Sequence, residues 1–226
     1  MISQAAPACL LALDCSGASA SAAVGRRGVV EAERFAAMER GQAEAILPQV
    51  EQVMAEAGLR FGAIDALVTT IGPGSFTGLR IGLAAARGLA LALGRPIIAL
   101  TAFEAFVAGL PADLRGFERI VVAIDSRRGP VFAQTFDAGG TALDRPESVE
   151  PEALPVWLPP GRLLVVGDGT AAFQGIEGDR IALRPGRIRA GDLIRAARSA
   201  GADILARAPV PLYLRAPDVS PPGAPP

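Results

Sequence analysis

Two aspartates stand at matching places in the sequence, each at the end of an apolar run and before a short polar turn. Asp14 is followed by Ser16, and Asp125 is followed by the turn 126–129. A carboxylate beside a serine- or glycine-containing turn can hold Mg²⁺ or phosphate in nucleotide-binding folds, and two such strand ends could converge on one cleft. The alternative is a pair of structural turns in which Asp14 and Ser16 accept hydrogen bonds from backbone amides.

The loop from Gly72 to Arg80 is a second candidate, because it lies between an apolar strand and an apolar helix. That context suits an anion site at a helix N-terminus. The spacing differs from the known phosphate loops: a dinucleotide fingerprint needs glycine where Thr77 stands, and a P-loop needs a lysine. A nucleophile elbow around Ser75 would need glycine in place of Pro73 and Thr77, and a histidine. The alternative is a sharp turn in which Ser75 or Thr77 caps the helix.

The composition removes several classes of catalysis. The 226 residues include no histidine, and all 22 basic residues are arginine. The chain therefore lacks the histidine of a catalytic triad or a zinc site, and the lysine of a P-loop or a Schiff base. A net charge of −1 and a pI of about 5.6 argue against a general affinity for nucleic acid. We expect neither a metal nor a cofactor.

The segment from Arg180 to Arg198 is a local exception to this charge balance. Six arginines there outnumber one acid, Asp192. Such a cluster can contact nucleic-acid phosphate or an acidic partner. The alternative is ordinary exposed charge on a helix and its flanking loops.

The two cysteines, Cys9 and Cys15, flank the first apolar run. If that run is one strand, they lie about 20 Å apart, which is too far for a disulfide. The chain shows no basic segment and no continuous apolar segment typical of a signal peptide, so we expect a cytoplasmic protein. Arg87 interrupts the longest apolar run, so no membrane span is expected.

Hydrophobic periodicity places these residues on an α/β framework. The pattern predicts a β-meander over 8–36, a helix over 43–57, a strand over 64–71, a helix over 79–93 and a strand over 96–100. The second helix has hardly any polar residue besides Arg80 and Arg87, and a helix that is apolar all round must be covered on every side. We therefore expect another protein to cover part of it, and we interpret Gly72 to Gly78 mainly as the turn that sets its angle.

The second half of the chain repeats the opening pattern of strand, aspartate, turn and strand, which indicates an internal duplication. Thr101 is predicted to cap a short helix, and the boundary between the halves is expected within 103–118. Further strands are predicted over 119–124, 130–136 and 163–166, with helices over 152–158, from 171 and over 190–202. We expect an N-terminal lobe over 1–105, a C-terminal lobe over 106–216 and a disordered proline-rich tail over 217–226.

Four segments resemble, in order, the signatures of the TsaB (YeaZ-type) family, which is related to the glycoproteases. They are Leu11–Ser16, Gly72–Gly82, Ala123–Arg128 and Pro211–Arg215. The resemblance implies an α/β, two-lobed actin-like ATPase fold of the duplicated, ribonuclease H-like kind. Family members often carry a histidine in the segment leading into the first helix, where this chain has Gln42 instead.

The resemblance also implies a function. TsaB proteins are bacterial cytoplasmic partners of TsaD, the transferase that makes N6-threonylcarbamoyladenosine at position 37 of tRNAs reading ANN codons, and TsaE joins the complex. This chain would then be a non-catalytic scaffold subunit that binds TsaD directly and forms a homodimer when alone, with an indirect or weak tRNA contact.

The resemblance further implies that the partner contacts lie on the two helices of the first lobe. The expected interface residues are Ile46, Leu47, Val50, Val53, Met54, Leu79, Leu83, Ala85, Ala86 and Leu89. The signature loop comprises Gly72, Pro73, Gly74, Ser75, Phe76, Thr77, Gly78 and Arg80. Asp14, Ser16 and Asp125 remain candidates for a vestigial nucleotide site.

The alternative is an independent enzyme, either an ATP-dependent phosphotransferase that uses Asp14 and Asp125 or a glycoprotease-like peptidase. The missing lysine, histidine and complete phosphate loops all argue against it.

Overall fold

The computed structural model describes residues 7–111, 116–176, 178–198 and 201–215. Within these ranges the chain forms two five-stranded mixed sheets with helices packed against them. The tail expected at 217–226 lies outside the described residues.

The first sheet contains the opening meander and two later parallel strands. Its strands are β1 (Cys9–Asp14), β2 (Ser19–Arg26), β3 (Val29–Ala37), β4 (Ala66–Gly72) and β5 (Ile97–Thr101). Their order is β3-β2-β1-β4-β5. The strands β1 to β3 are antiparallel because tight turns join them, whereas β4 and β5 are parallel to β1 because helices cross over between them.

The second sheet repeats this topology. Its strands are β6 (Arg119–Asp125), β7 (Val131–Asp137), β8 (Glu147–Val149), β9 (Leu163–Gly167) and β10 (Ile181–Pro185), in the order β10-β9-β6-β7-β8. Strand β6 pairs antiparallel with β7 and parallel with β9, as β1 does with β2 and β4. This repeat confirms the predicted duplication and the two-lobed actin-like α/β fold.

Helices cover the first sheet on both faces. They are α1 (Gln42–Glu56) and α2 (Phe76–Leu93) on one face, and α3 (Ala102–Ala108) and α5 (Ala190–Arg198) on the other. The alternation of β1 fits this arrangement. Leu11 and Leu13 pack with α1 and α2, while Leu10 and Ala12 belong to the opposite cluster.

Shorter segments cover the outer face of the second sheet. They are the helix α4 (Leu154–Trp157) and the 3₁₀ turns Pro151–Ala153 and Thr170–Phe173. The predicted helices near 152 and 171 are therefore present as short segments. A last short helix, α6, spans Ala202–Leu205.

One hydrophobic core joins the two sheets. Leu10 of β1, Ile120 of β6, Phe103 of α3 and Leu193 of α5 belong to the same buried cluster. A division at 105/106 separates the sheets but leaves α5 packed against the sheet of the first half.

The N-terminal end of α5 is fixed to the first sheet by hydrogen bonds. The amide of Ala190 donates to Oγ of Ser21 (2.9 Å), and the amide of Gly191 donates to Oε1 of Glu33 (2.8 Å). Glu33 thus supplies the negative charge that a helix N-terminus favours.

The N-terminus of α3 is capped as the sequence predicts. Oγ1 of Thr101 accepts from the amide of Glu104 (3.1 Å), and Oε2 of Glu104 accepts from the amide of Thr101 (2.7 Å). This reciprocal pair is a capping box.

Candidate functional site

The signature loop packs directly on the turn between β1 and β2. The amide of Ser75 donates to the carbonyl oxygen of Ser16 (2.7 Å). A Cβ at Gly74 would lie 2.5 Å from that same oxygen, and a Cβ at Gly78 would lie closer still to the carbonyl oxygen of Cys15. Glycine is therefore required at both positions because the two backbones touch.

Ser75 is the residue that caps α2. Its Oγ accepts a hydrogen bond from the amide of Gly78 (3.3 Å). This arrangement is the capping alternative predicted for the loop, and it selects Ser75 rather than Thr77.

The loop also binds the segment near residue 212, so two of the signature segments meet. The amide of Leu212 donates to the carbonyl oxygen of Ile71 (2.7 Å). Tyr213 stacks near Phe76 with ring centroids 5.4 Å apart, and Arg80 lies over the Phe76 ring at 3.6 Å. Nε of Arg80 donates to the Tyr213 hydroxyl (3.3 Å).

A cavity of about 430 Å³ lies between these two segments and the turn that joins β6 to β7. Residues 73–77 form one wall, Ser126 and Arg128 belong to the second, and residues 212–215 form the third. The interpretation of the loop mainly as an angle-setting turn is therefore incomplete, because the loop also lines this cavity.

Asp14 is closed off from solvent. Its carboxylate is fully buried, and its Oδ1 accepts a hydrogen bond from the hydroxyl of Thr70. Its Oδ2 has no hydrogen-bond partner among the described residues. Burial raises the pKa of Asp14, and hydrogen bonds from Thr70 and Ser16 oppose that rise.

The carboxylate of Asp125 is engaged by Arg127 within the turn that follows β6. Its Oδ1 accepts from the amide of Arg127 (2.7 Å), and its Oδ2 lies 3.5 Å from Nε of the same arginine. The duplicated aspartates thus differ, since Asp14 is a core residue and Asp125 closes an exposed turn.

A third carboxylate, Asp168, lies where the two halves meet. Its Oδ1 accepts from the amide of Asp125 (3.0 Å), and its Oδ2 would be 3.6 Å from a Cβ at Gly17. Burial is the main reason that the pKa of Asp168 is raised; the charge of Asp125 adds to the rise, and Arg127 opposes it. The sequence marks Asp168 only as part of a turn, although its place after β9 corresponds to the end of β4 in the first half.

The junction around Asp168 is too small for a nucleotide phosphate. The space bounded by Ser16, Gly17 and Asp168 measures about 10 Å³, which is about the room that one water molecule needs. Among the described residues no group of three histidine, cysteine or acidic side chains could hold a metal ion. The residues present therefore do not fit the Mg²⁺-nucleotide that the fold would suggest at this place.

Most of the expected interface residues belong to the core of the subunit. Seven side chains are at most 2% exposed, so their burial against the first sheet prevents them from contacting a partner. They are Ile46, Val50, Val53, Met54, Leu79, Leu83 and Ala86. Of the other three, Leu47 is 46% exposed, and Ala85 and Leu89 are half-buried.

The outward face of α2 carries exposed residues that are not among the expected interface residues. Leu91 is 86% exposed, and Ala84, Gly88 and Ala92 are exposed beside it at helical spacing. Knowing which face packs on the sheet identifies these residues, whereas periodicity alone cannot divide an apolar helix into two faces.

The composition of α2 also corrects one expectation. By length and apolar character, α2 is the one helix in the described ranges that could cross a bilayer, although Arg87 was expected to prevent any such run. Its inner face packs against β4 and β1 of the first sheet, as in a core helix.

Gln42 and the cysteines have structural positions. Nε2 of Gln42, the first residue of α1, donates to the carbonyl oxygen of Met38 (3.1 Å). Cys9 and Cys15 are buried free thiols, in agreement with the predicted separation. Burial raises the pKa of both thiols.

Comparison with known proteins extends these observations. Residues 36–154, slightly more than half of the chain, match the family model described as TsaD, tRNA N6-adenosine threonylcarbamoyltransferase. The tRNA threonylcarbamoyladenosine biosynthesis protein TsaB of Haemophilus influenzae is 37% identical over 123 residues, which cover 54% of this chain and 51% of that protein. The match thus spans about half the length of this curated relative.

Two further relatives align over nearly the whole chain. An uncharacterised protein of Mycobacterium tuberculosis is 31% identical over 221 residues, 94% of each chain. The solved structure of YeaZ from Pseudomonas aeruginosa superposes with a TM-score of 0.76 at 27% identity and covers 92% of this chain and 100% of that one. The chain therefore belongs to the TsaD-related threonylcarbamoyltransferase family and, within it, is a TsaB/YeaZ-type protein.

Proposed function

We propose that this chain is the non-catalytic subunit that binds and activates TsaD in the cytoplasmic complex that makes N6-threonylcarbamoyladenosine at position 37 of tRNAs reading ANN codons. It pairs with TsaD directly and forms a homodimer when alone, and TsaE joins the larger complex. The names of the TsaB relatives support the place in tRNA modification.

The observation that carries the proposal is the outward apolar face of α2 beside α1. Leu91 projects from a surface of Ala84, Gly88 and Ala92, where the small side chains allow another helix to approach closely. Leu47 is also exposed, on α1, which packs beside α2. Covering such a surface contributes about 25 cal/mol for each Å² of apolar area removed from water.

The closed junction between the halves supports a non-catalytic role. Asp14 is buried, Asp125 is held by its own turn, and the space beside Asp168 has room for about one water molecule. These three aspartates therefore provide neither an accessible catalytic base nor a site with room for a phosphate group.

Light scattering on the purified protein mixed with its TsaD tests the proposal. We expect a heteromer at micromolar concentration, and we expect Leu91→Arg to abolish it because a charge would be buried in an apolar contact. Leu143→Arg is the matched control, since Leu143 is a 51% exposed leucine outside the two helices.

Two results would overturn the proposal. One is that the wild-type protein forms no heteromer with TsaD. The other is that folded Leu91→Arg associates as well as Leu143→Arg, which would remove α2 from the interface.

A further inference from the structure

A second, larger cavity opens where the carboxyl ends of β9 and β10 meet the first sheet. Its volume is about 710 Å³, within the range of small-ligand sites. Its walls come from Phe35 of β3, from Phe106 and Leu110 at α3, from the end of β9, from the segment 184–189 at the end of β10, and from α5. It adjoins the closed junction, with which it shares Phe106, Asp168 and Arg187, but it is a much larger space.

Four arginines line this cavity, and two of them already have partners. Arg189 pairs with Glu33 at 2.9 Å and lies over the Phe35 ring at 4.8 Å, and Arg195 pairs with Asp192. The other two, Arg184 and Arg187, are exposed and make no hydrogen bond or ion pair with any described residue. They are the guanidinium groups that remain available to a ligand.

The carboxylates of the cavity do not cancel this positive charge. The four arginines meet two aspartates, Asp168 and Asp192. Asp168 accepts from a backbone amide and Asp192 from Arg195, and burial is the main cause that raises the pKa of each. The N-terminus of α5 is not available as an anion site, because the carboxylate of Glu33 already accepts a hydrogen bond from the amide of Gly191 there.

The lining therefore combines two kinds of contact. Guanidinium groups bind phosphate through paired N–H donors. The half-buried Phe106 and Leu110 give an apolar wall beside them, and aromatic side chains stack well on nucleobases. Phosphate next to a planar base is the chemistry of a nucleotide.

We propose that this cavity binds a nucleotide, with Arg184 and Arg187 on its phosphate and Phe106 against its base. Because both arginines are exposed, they are accessible to the strand of a tRNA; this source rests on the proposed function. A free mononucleotide carries the same chemistry and is the second source.

Binding titrations with three probes test the site: an unmodified tRNA transcript with an ANN-reading anticodon, AMP, and adenosine. We expect tRNA, or AMP, to bind the wild-type protein, and adenosine to bind at least tenfold more weakly than AMP. The double variant Arg184→Gln/Arg187→Gln should weaken binding of the phosphate probe about tenfold or more. For tRNA, it should lower the slope of log K against log salt by about two.

The matched control is Arg60→Gln/Arg145→Gln, which removes the same charge from two exposed arginines outside the cavity. Equal losses in both double variants would overturn the site, as would the absence of binding by both phosphate probes at about millimolar concentration. Binding of tRNA alone supports the strand as ligand, and binding of AMP alone supports a free nucleotide. Thermal unfolding of both variants should match the wild type because all four side chains are exposed.

The proposed function is tested separately. The Arg184→Gln/Arg187→Gln variant should still form the heteromer with TsaD in light scattering. If the wild type joins TsaD but binds neither phosphate probe, only the nucleotide site is refuted; if it fails to join TsaD, the proposed function is refuted whatever the titrations show.

Discussion

At Asp14 a carboxyl group lies inside the first sheet, with the Thr70 hydroxyl as its hydrogen-bond donor. Complete burial disfavours the charged form, and this effect exceeds the opposing hydrogen bonds, so the pKa is raised. An aspartate at a strand end suggests catalysis, but Asp14 is completely buried and cannot reach a substrate. It is therefore a polar residue of the hydrophobic core.

The raised pKa has a defined effect on stability. The folded state retains the proton of Asp14 at pH values where the unfolded chain, with an ordinary pKa of about 3.9, has lost it. The resulting stabilisation is complete below the unfolded pKa and is lost as the pH rises through the folded one. Within that window the loss is about 1.4 kcal/mol for each pH unit.

We therefore predict that Asp14→Asn folds and has a flatter pH profile of stability than the wild type. Asparagine keeps the shape and carries no titrating proton. Urea denaturation from pH 4 to pH 8 measures the difference, and the wild type should lose unfolding free energy relative to the variant as the pH rises. Parallel profiles for the two proteins would contradict a raised pKa at this position.

At the scale of the element, α2 has two faces with different tasks. Gly78 touches the backbone of the β1–β2 turn, whereas a Cβ at Gly88 would meet open space. Gly78 therefore allows the helix to pack closely against the turn, whereas Gly88 has no packing role within the subunit.

This difference predicts effects of opposite sign for two identical substitutions. Gly78→Ala should destabilise the fold by about 2 kcal/mol or more, because the added methyl overlaps a backbone carbonyl. Gly88→Ala should stabilise it by about 0.5–1 kcal/mol, since alanine favours a helix interior. Urea unfolding at low protein concentration measures both; stabilisation by both changes would contradict the close packing of the signature loop.

The sequence predicts those elements whose apolar pattern is strong. The main strands and the two long helices fall within a few residues of their predicted limits, because burial on one or both faces imposes the pattern. Strands β8 and β10 were missed: β8 has three residues, and β10 is an edge strand with half-buried or exposed residues. The role of Asp168 depends on the packing of the two halves, which no local pattern contains.

At the scale of the molecule, α5 links the two halves. Leu193 is fully buried in the cluster that both sheets share. Because Leu193 belongs to the second half of the chain and is buried against the sheet of the first half, each half needs the other to complete its hydrophobic core.

We predict that Leu193→Ala lowers the stability of the whole chain by about 2–5 kcal/mol in one transition. Trp157, the single tryptophan of the chain, lies on α4 beside the second sheet and reports on that half by fluorescence. Its unfolding curve should shift together with the far-UV circular dichroism curve. A shift in circular dichroism without one in Trp157 fluorescence would mean that the halves unfold independently.

The position of α5 also bears on the order in which the ribosome makes the chain. The first sheet is complete once β5 has emerged, but its inner face is covered only in part, by α3, until residues 190–198 follow about ninety residues later. The contact between Leu212 and Ile71, at the start of the signature loop, forms later still, because Leu212 is synthesised after α5. A growing chain therefore acquires its finished signature surface only near the end of synthesis, so that an incomplete product lacks the loop contacts of the whole protein.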